Sequence, residues 1–249
     1  MIPLMLQSVL YSVAPVLAMA AGGAAAAWWN PGGRIRSYIQ HFAAGVVFAA
    51  VGVEILPDVM RRSNPFAAVV GFSVGVGVML AIRAMNRHAS SARGASREGG
   101  TPWAMVVAVA VAVFVDGLII GVGSAAGERQ GILIALSLTG CAVSLGLATA
   151  STLLDKGASR LRAVAQTVGI GLLPAFGAGT GAIVAFQLSG RWMEAILALT
   201  CAALLYLVTE ELLVEAHKAL DVPETPLTTA VFFVGFVVLF LTGMLVQSS

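Results

Sequence analysis

Charge is what this chain of 249 residues has least of: Asp, Glu, Lys and Arg together make up 10% of it, against 59% hydrophobic residues. Such a balance, with a mean hydropathy of +0.94, excludes an ordinary soluble domain, in which about a quarter of residues are charged. Cysteine is scarce as well. Cys141 and Cys201 both fall in apolar runs, where a thiol packs as a small hydrophobe, so a disulfide has no support and the redox compartment is not legible. Enzyme signatures are missing: there is no phosphate-binding Gly-Lys-Ser/Thr loop, no H-E-x-x-H and no Gly-x-Ser-x-Gly elbow. An intramembrane protease built on Asp116 and Glu54 has no recognisable signature either, and the chain is not expected to be an enzyme. No Lys or Arg precedes the first apolar run, so a signal peptide's basic segment is lacking. Ala18-Met19-Ala20 has the look of a cleavage site, but the run continues to Trp29 and a retained first helix is expected.

What the chain does have is length without polarity. A membrane-crossing helix needs about 20 mostly apolar residues. Eight segments qualify, at about 5–29, 37–59, 64–85, 103–126, 131–154, 164–188, 192–217 and 227–247. Turn-forming clusters separate them, such as Asn30-Pro31-Gly32-Gly33, Ser63-Asn64-Pro65 and Ser189-Gly190. Backbone polar groups in lipid must be satisfied within each segment. The expected fold is therefore an all-α polytopic membrane protein, one transmembrane domain over residues 1–249. The Ser-, Gly- and Arg-rich stretch 86–102 is expected to be a flexible loop between helices 3 and 4. Its three arginines are ordinary loop dosage, so neither nucleic acid nor a lipid headgroup is needed to explain them.

Orientation follows from the basic residues. Arg34, Arg36, Arg83, Arg87, Arg93, Arg97, Lys156, Arg160, Arg162 and Lys218 would share one side of an eight-span bundle; Arg61, Arg62, Arg129 and Arg191 would share the other. The positive-inside rule makes the richer side cytoplasmic and puts both termini outside, in a plasma (inner) membrane.

Against this apolar background the acids stand out. Glu54, Asp116, Glu210 and Glu211 lie within the long apolar segments. A central acid costs about 2.5–3.5 kcal/mol on insertion scales, so such groups face a protein interior or a polar path where a cation or proton balances them. Glu54 and Asp58 share a helical face, and Pro57 frees a backbone carbonyl one turn earlier. Two readings of Glu54 stand side by side: a ligand, or the partner of Arg61 or Arg62. Asp116 has no basic residue in its own helix, and Gly117 with Gly121 lets a neighbouring helix come close. In the seventh segment Glu210, Glu211, Glu215 and His217 make an oxygen-rich set with one imidazole, a chemistry that suits divalent metals in general. Glu215 and His217 read equally as a solvated helix end, and His41 as an interfacial polar residue. Hydroxyls of the fifth segment are expected to bond back to their own helix, and the sixth to kink at Pro174 and pack through Gly177, Gly179 and Gly181.

These residues resemble the ZIP (Zrt/Irt-like protein) family of divalent metal transporters across nearly all eight segments. Ala43 to Ala50 followed by Glu54-Ile-Leu-Pro57 is similar to the family's A-G-V-x-L-A segment ending H-L-L-P. Asp116-Gly-Leu-Ile-Ile-Gly121 is similar to [DE]-G-L-A-x-G, and Glu210-Glu211-Leu-Leu-Val-Glu215-Ala-His217 to H-E-x-x-P-E-x-H. The resemblance implies eight helices, termini outside, and a metal held between the fourth and fifth helices. It also implies a depleted site. The fourth helix's His and Asn fall on Ala112 and Val113, leaving Asp116; the fifth helix's ligands fall on Cys141 to Gly146, with its Glu on Leu145, leaving the Cys141 thiol. The Glu before the sixth helix's proline falls on Leu173, and the loop's His cluster is reduced to His88. The expected metal-handling residues are thus Asp116, Glu211, Glu210, Glu54 and Cys141. Two functions are open: a transporter of a divalent cation (zinc, iron or manganese class), or a bundle of this kind that carries another solute or serves as a binding partner. No tightly bound cofactor is expected, the divalent ion being cargo. The expected partners are the lipid bilayer, that cation and a second copy of the chain in a homodimer, and nucleic acid is not among them.

Overall fold

The computed structural model describes residues 2–29, 31–62, 64–91, 103–188, 191–218 and 225–248, and among these the secondary structure is entirely helical. Eight helices are long and apolar enough to cross a membrane, and the chain is an all-α polytopic integral membrane protein. The first span is α1 (Ile2–Trp28). The second is α2 (Gly33–Ala50), a π-helical turn at Val51–Ile55 and α3 (Leu56–Arg62). The third and fourth are α4 (Pro65–Ser91) and α5 (Trp103–Ala126). The fifth is α6 (Glu128–Asp155), and the sixth is α7 (Arg160–Gly171) with α8 (Leu173–Phe186). The seventh is α9 (Arg191–Tyr206), a second π-helical turn at Leu207–Leu212 and α10 (Leu213–Lys218); the eighth is α11 (Pro226–Ser248).

Helix α4 continues to Ser91, so the start of the expected 86–102 loop is helical, and residues 92–102 lie outside the described residues. The sixth span breaks at Leu172 because Pro174 can open a helix but not continue one. Spans two, five and seven are the most buried, and spans one, three and eight form the exposed wall. That wall presents Leu6, Leu10, Leu17, Val69, Phe233 and Leu241, an apolar surface suited to hydrocarbon and not to water.

Small residues set the closest helix contacts. A Cβ added at Gly117 would come within 2.7 Å of Pro174 Cα, and one at Gly121 within 2.6 Å of Ala182 N. The Gly117–Gly121 pair thus lets α5 lie against α8, whose Gly177 and Gly181 approach Phe114 and Leu118 in return. Hydroxyls of α6 do bond back to their own helix: Ser137 donates to Ile134 O at 2.7 Å and Thr139 to Ala135 O at 2.7 Å.

Both π turns carry the acids singled out above, Glu54 in one and Glu210 with Glu211 in the other. Leu56 N–H reaches back to Val51 O, and Leu213 N–H to Val208 O, each one residue further than in an α-helix. In the second span Pro57 explains the widening, because its ring lacks an N–H and crowds the preceding turn. In the seventh, the Thr209 hydroxyl intrudes on the ladder, donating to Leu205 O at 3.0 Å with Tyr206 O at 3.4 Å. Such bulges re-aim side chains and recur at functional sites.

Candidate functional site

Asp116 and Glu211, from the fourth and seventh spans, line one cavity of about 40 Å³ inside the bundle. Its other walls are Met79, Ile82, Ala112, Val115, Ile119, Leu145, Ala203 and Leu207. Among the described residues, no Lys, Arg or His is in that wall. Position follows from local structure. The Gly117 contact presses α5 against α8 and leaves Asp116 on the adjoining face, while Glu211 comes from the second π turn. The two carboxyl groups are near enough to interact electrostatically. Two like charges facing one small, largely apolar space are costly unless a cation or protons balance them.

The other expected ligands are elsewhere. Glu54 is buried and accepts a 2.6 Å ion pair from Arg129 Nη2, whose side chain is partly exposed at the start of α6. The same nitrogen lies 3.3 Å from Gly243 O, so one arginine ties spans two, five and eight together. Glu54 is thus paired within the chain by Arg129, with Arg61 acting on it at longer range, and the side chain of Arg62 lies outside the described residues. Glu210 pairs with Arg83 of α4, which also donates to the Tyr206 hydroxyl at 3.2 Å. That pair is about two-fifths exposed at both ends. Cys141 is fully buried among Ala43, Ala44, Leu138 and other core residues, outside the cavity wall. Neither it nor Cys201 forms a disulfide. The side chain of Glu215, and that of His88, lie outside the described residues.

Sequence reasoning missed three features. Arg129 and Arg83 were counted as loop charges, although both flank apolar runs at the level of an acid. Glu194 is a further buried acid; its carboxylate accepts the Asn64 N–H at 3.0 Å and holds the turn before α4. His41 and His217, treated separately in the sequence, have ring centroids 5.6 Å apart. Among the described residues, no group of three or more His, Cys, Asp or Glu gathers into a ready-made metal centre.

No protein-family model matches the chain, and no curated protein matches it.

Proposed function

We propose that this integral membrane protein is a transporter of a divalent cation, of the zinc, iron and manganese class, related in design to the ZIP family and working with a reduced site. The observation that carries this reading is the cavity that Asp116 and Glu211 share, two carboxylates from different spans in one small space. Two carboxylates match the charge of one divalent ion, or of two protons that exchange with it. Size narrows the cargo. About 40 Å³ holds an ion with a water, since one water needs about 10–15 Å³ by this kind of measure, whereas organic ligands occupy pockets of about 300–1,000 Å³. Ala112 and Leu145, to which the resemblance assigns a His and a Glu ligand, are both in the wall beside Asp116. That coincidence supports the resemblance and explains why the site is sparse.

In this reading Asp116 and Glu211 are the ligands, and Glu54–Arg129 and Glu210–Arg83 are ion pairs of the scaffold. Alternating access comes from helix groups rocking about the carboxylate pair. The basic-residue bias places both termini outside a plasma (inner) membrane. The second reading, a bundle of this kind that no longer moves metal, is favoured by the apolar residues at Ala112 and Leu145.

Uptake into proteoliposomes separates the two. The native chain should carry at least one of zinc, iron, manganese and cadmium above empty vesicles, and Asp116→Ala should abolish that flux. Fluxes of all four equal to those of empty vesicles would leave the second reading standing.

A further inference from the structure

A second cavity lies away from the carboxylate pair, between spans two, three and seven. Its volume is about 280 Å³, against about 40 Å³ for the cavity of Asp116 and Glu211. Among the described residues of its wall, Ser73 and Cys201 alone have a heteroatom in the side chain. The gap has a local cause. Gly71 and Gly75 draw α4 onto α9: a Cβ added at Gly71 would lie 2.7 Å from Ala195 Cα, and one at Gly75 3.0 Å from Leu199 Cα. Beside that contact stand small residues, Ala68 and Ser73 on α4 and Ala198 and Cys201 on α9, which leave the space unfilled. Ala198 and Cys201, each 2% exposed, form the floor. Val69 and Phe72, 65% and 39% exposed, form the rim, so the groove opens on the apolar wall of span three.

Depth says what fits there. The turn between spans two and three is tied to the start of span seven by Glu194, which accepts the Asn64 N–H at 3.0 Å, so three span ends lie at one level. Val59 of the groove is three residues from the end of α3, and Cys201 is ten residues from the start of α9. At 1.5 Å per residue these are about 4.5 Å and about 15 Å below the span ends. The larger depth is half of the roughly 30 Å hydrocarbon core, the reach of one leaflet. Arg61 and Arg191 are exposed at the same ends, the level of lipid phosphates, and a guanidinium matches phosphate geometry. Trp192, exposed beside Arg191 with the guanidinium 5.6 Å from its ring, is of the type that sits at the membrane–water interface. We propose that the groove holds one acyl chain of a phospholipid from that leaflet. An empty groove would forfeit dispersion contacts along its floor, and between helices in lipid such packing is a main source of attraction. The proposal does not depend on metal transport.

The test is photolabelling of the full-length chain in phosphatidylcholine vesicles containing a trace of phosphatidylglycerol with a diazirine in one acyl chain. Peptide mass spectrometry then locates the adducts. They are expected on Ala198 and Cys201 of the groove floor, in excess of those on Phe233 and Leu241, which are far more exposed on span eight. Ala68→Phe and Ser73→Phe each place a ring in the groove and should lose the floor adducts while keeping those of span eight. Val237→Phe, on the wall of span eight, should leave both sets unchanged. Ser73 is exposed, so Ser73→Phe carries the test if Ala68→Phe does not fold. Adducts distributed over the chain in proportion to exposure, or floor adducts that persist in Ser73→Phe, overturn the proposal. Absent floor adducts together with a disulfide-linked dimer of the Val69→Cys chain would overturn it too, by placing a second copy over the groove.

Discussion

Glu54 and Asp116 are the same chemical problem solved in two ways. Both are acids in apolar helices of the bundle interior. Glu54 is answered from within the chain by Arg129 at 2.6 Å, a bridge that also reaches the eighth span. Asp116 instead shares a small cavity with a second acid, and no base stands in that wall among the described residues. A buried acid is therefore not by itself a sign of function. An acid set against a second acid in one cavity is the stronger candidate.

The comparison breaks most visibly at Arg129. Arg129→Ala leaves the Glu54 carboxylate buried without its partner and should cost about 3–5 kcal/mol of stability, read from thermal or denaturant unfolding in detergent. The double variant Glu54→Gln/Arg129→Gln should recover much of that loss. Next in size is Gly117→Ala, whose new Cβ would sit 2.7 Å from Pro174 Cα and force α5 away from α8. It should cost about 1–3 kcal/mol and reduce cation uptake without changing any charge. At the cavity the sign reverses. Asp116→Asn should leave the cation-free protein as stable as before, or more stable by about 1 kcal/mol, because a desolvated charge facing a like charge has been removed. Its uptake should nevertheless be lost. The smallest effect belongs to Arg83→Ala, since the Arg83–Glu210 pair is open to its surroundings; no measurable shift in the unfolding midpoint is expected.

The contrast also separates what a sequence can reveal from what it cannot. Eight spans were legible because hydropathy and length decide them, and Pro174 announced the break in the sixth. Span ends were less so: the third runs into the expected loop because Met85 to Ser91 can extend a helix whether or not they lie in hydrocarbon. Asp116 stood out as an acid with no base in its own helix, and the cavity is where that expectation comes to rest. Its partner Glu211 was indistinguishable from Glu210 in sequence. Adjacent helical residues point about 100° apart, and only the packing of the spans shows that one meets Arg83 and the other shares a cavity with Asp116. Arg129 lies 75 residues from Glu54, a pairing that no local spacing encodes. The histidine pair was hidden for the same reason, since its members sit at opposite ends of the chain.

The most direct measurement of the central claim is the effect of zinc on unfolding. It is made in the native chain, with and without Asp116→Asn and Glu211→Gln. At zinc concentrations near 100 times Kd, binding to the cavity should stabilise the native chain by about 2.7 kcal/mol and leave the doubly substituted chain unmoved. Equal zinc shifts in the two chains, or no shift in either, would contradict the claim that Asp116 and Glu211 bind a divalent cation.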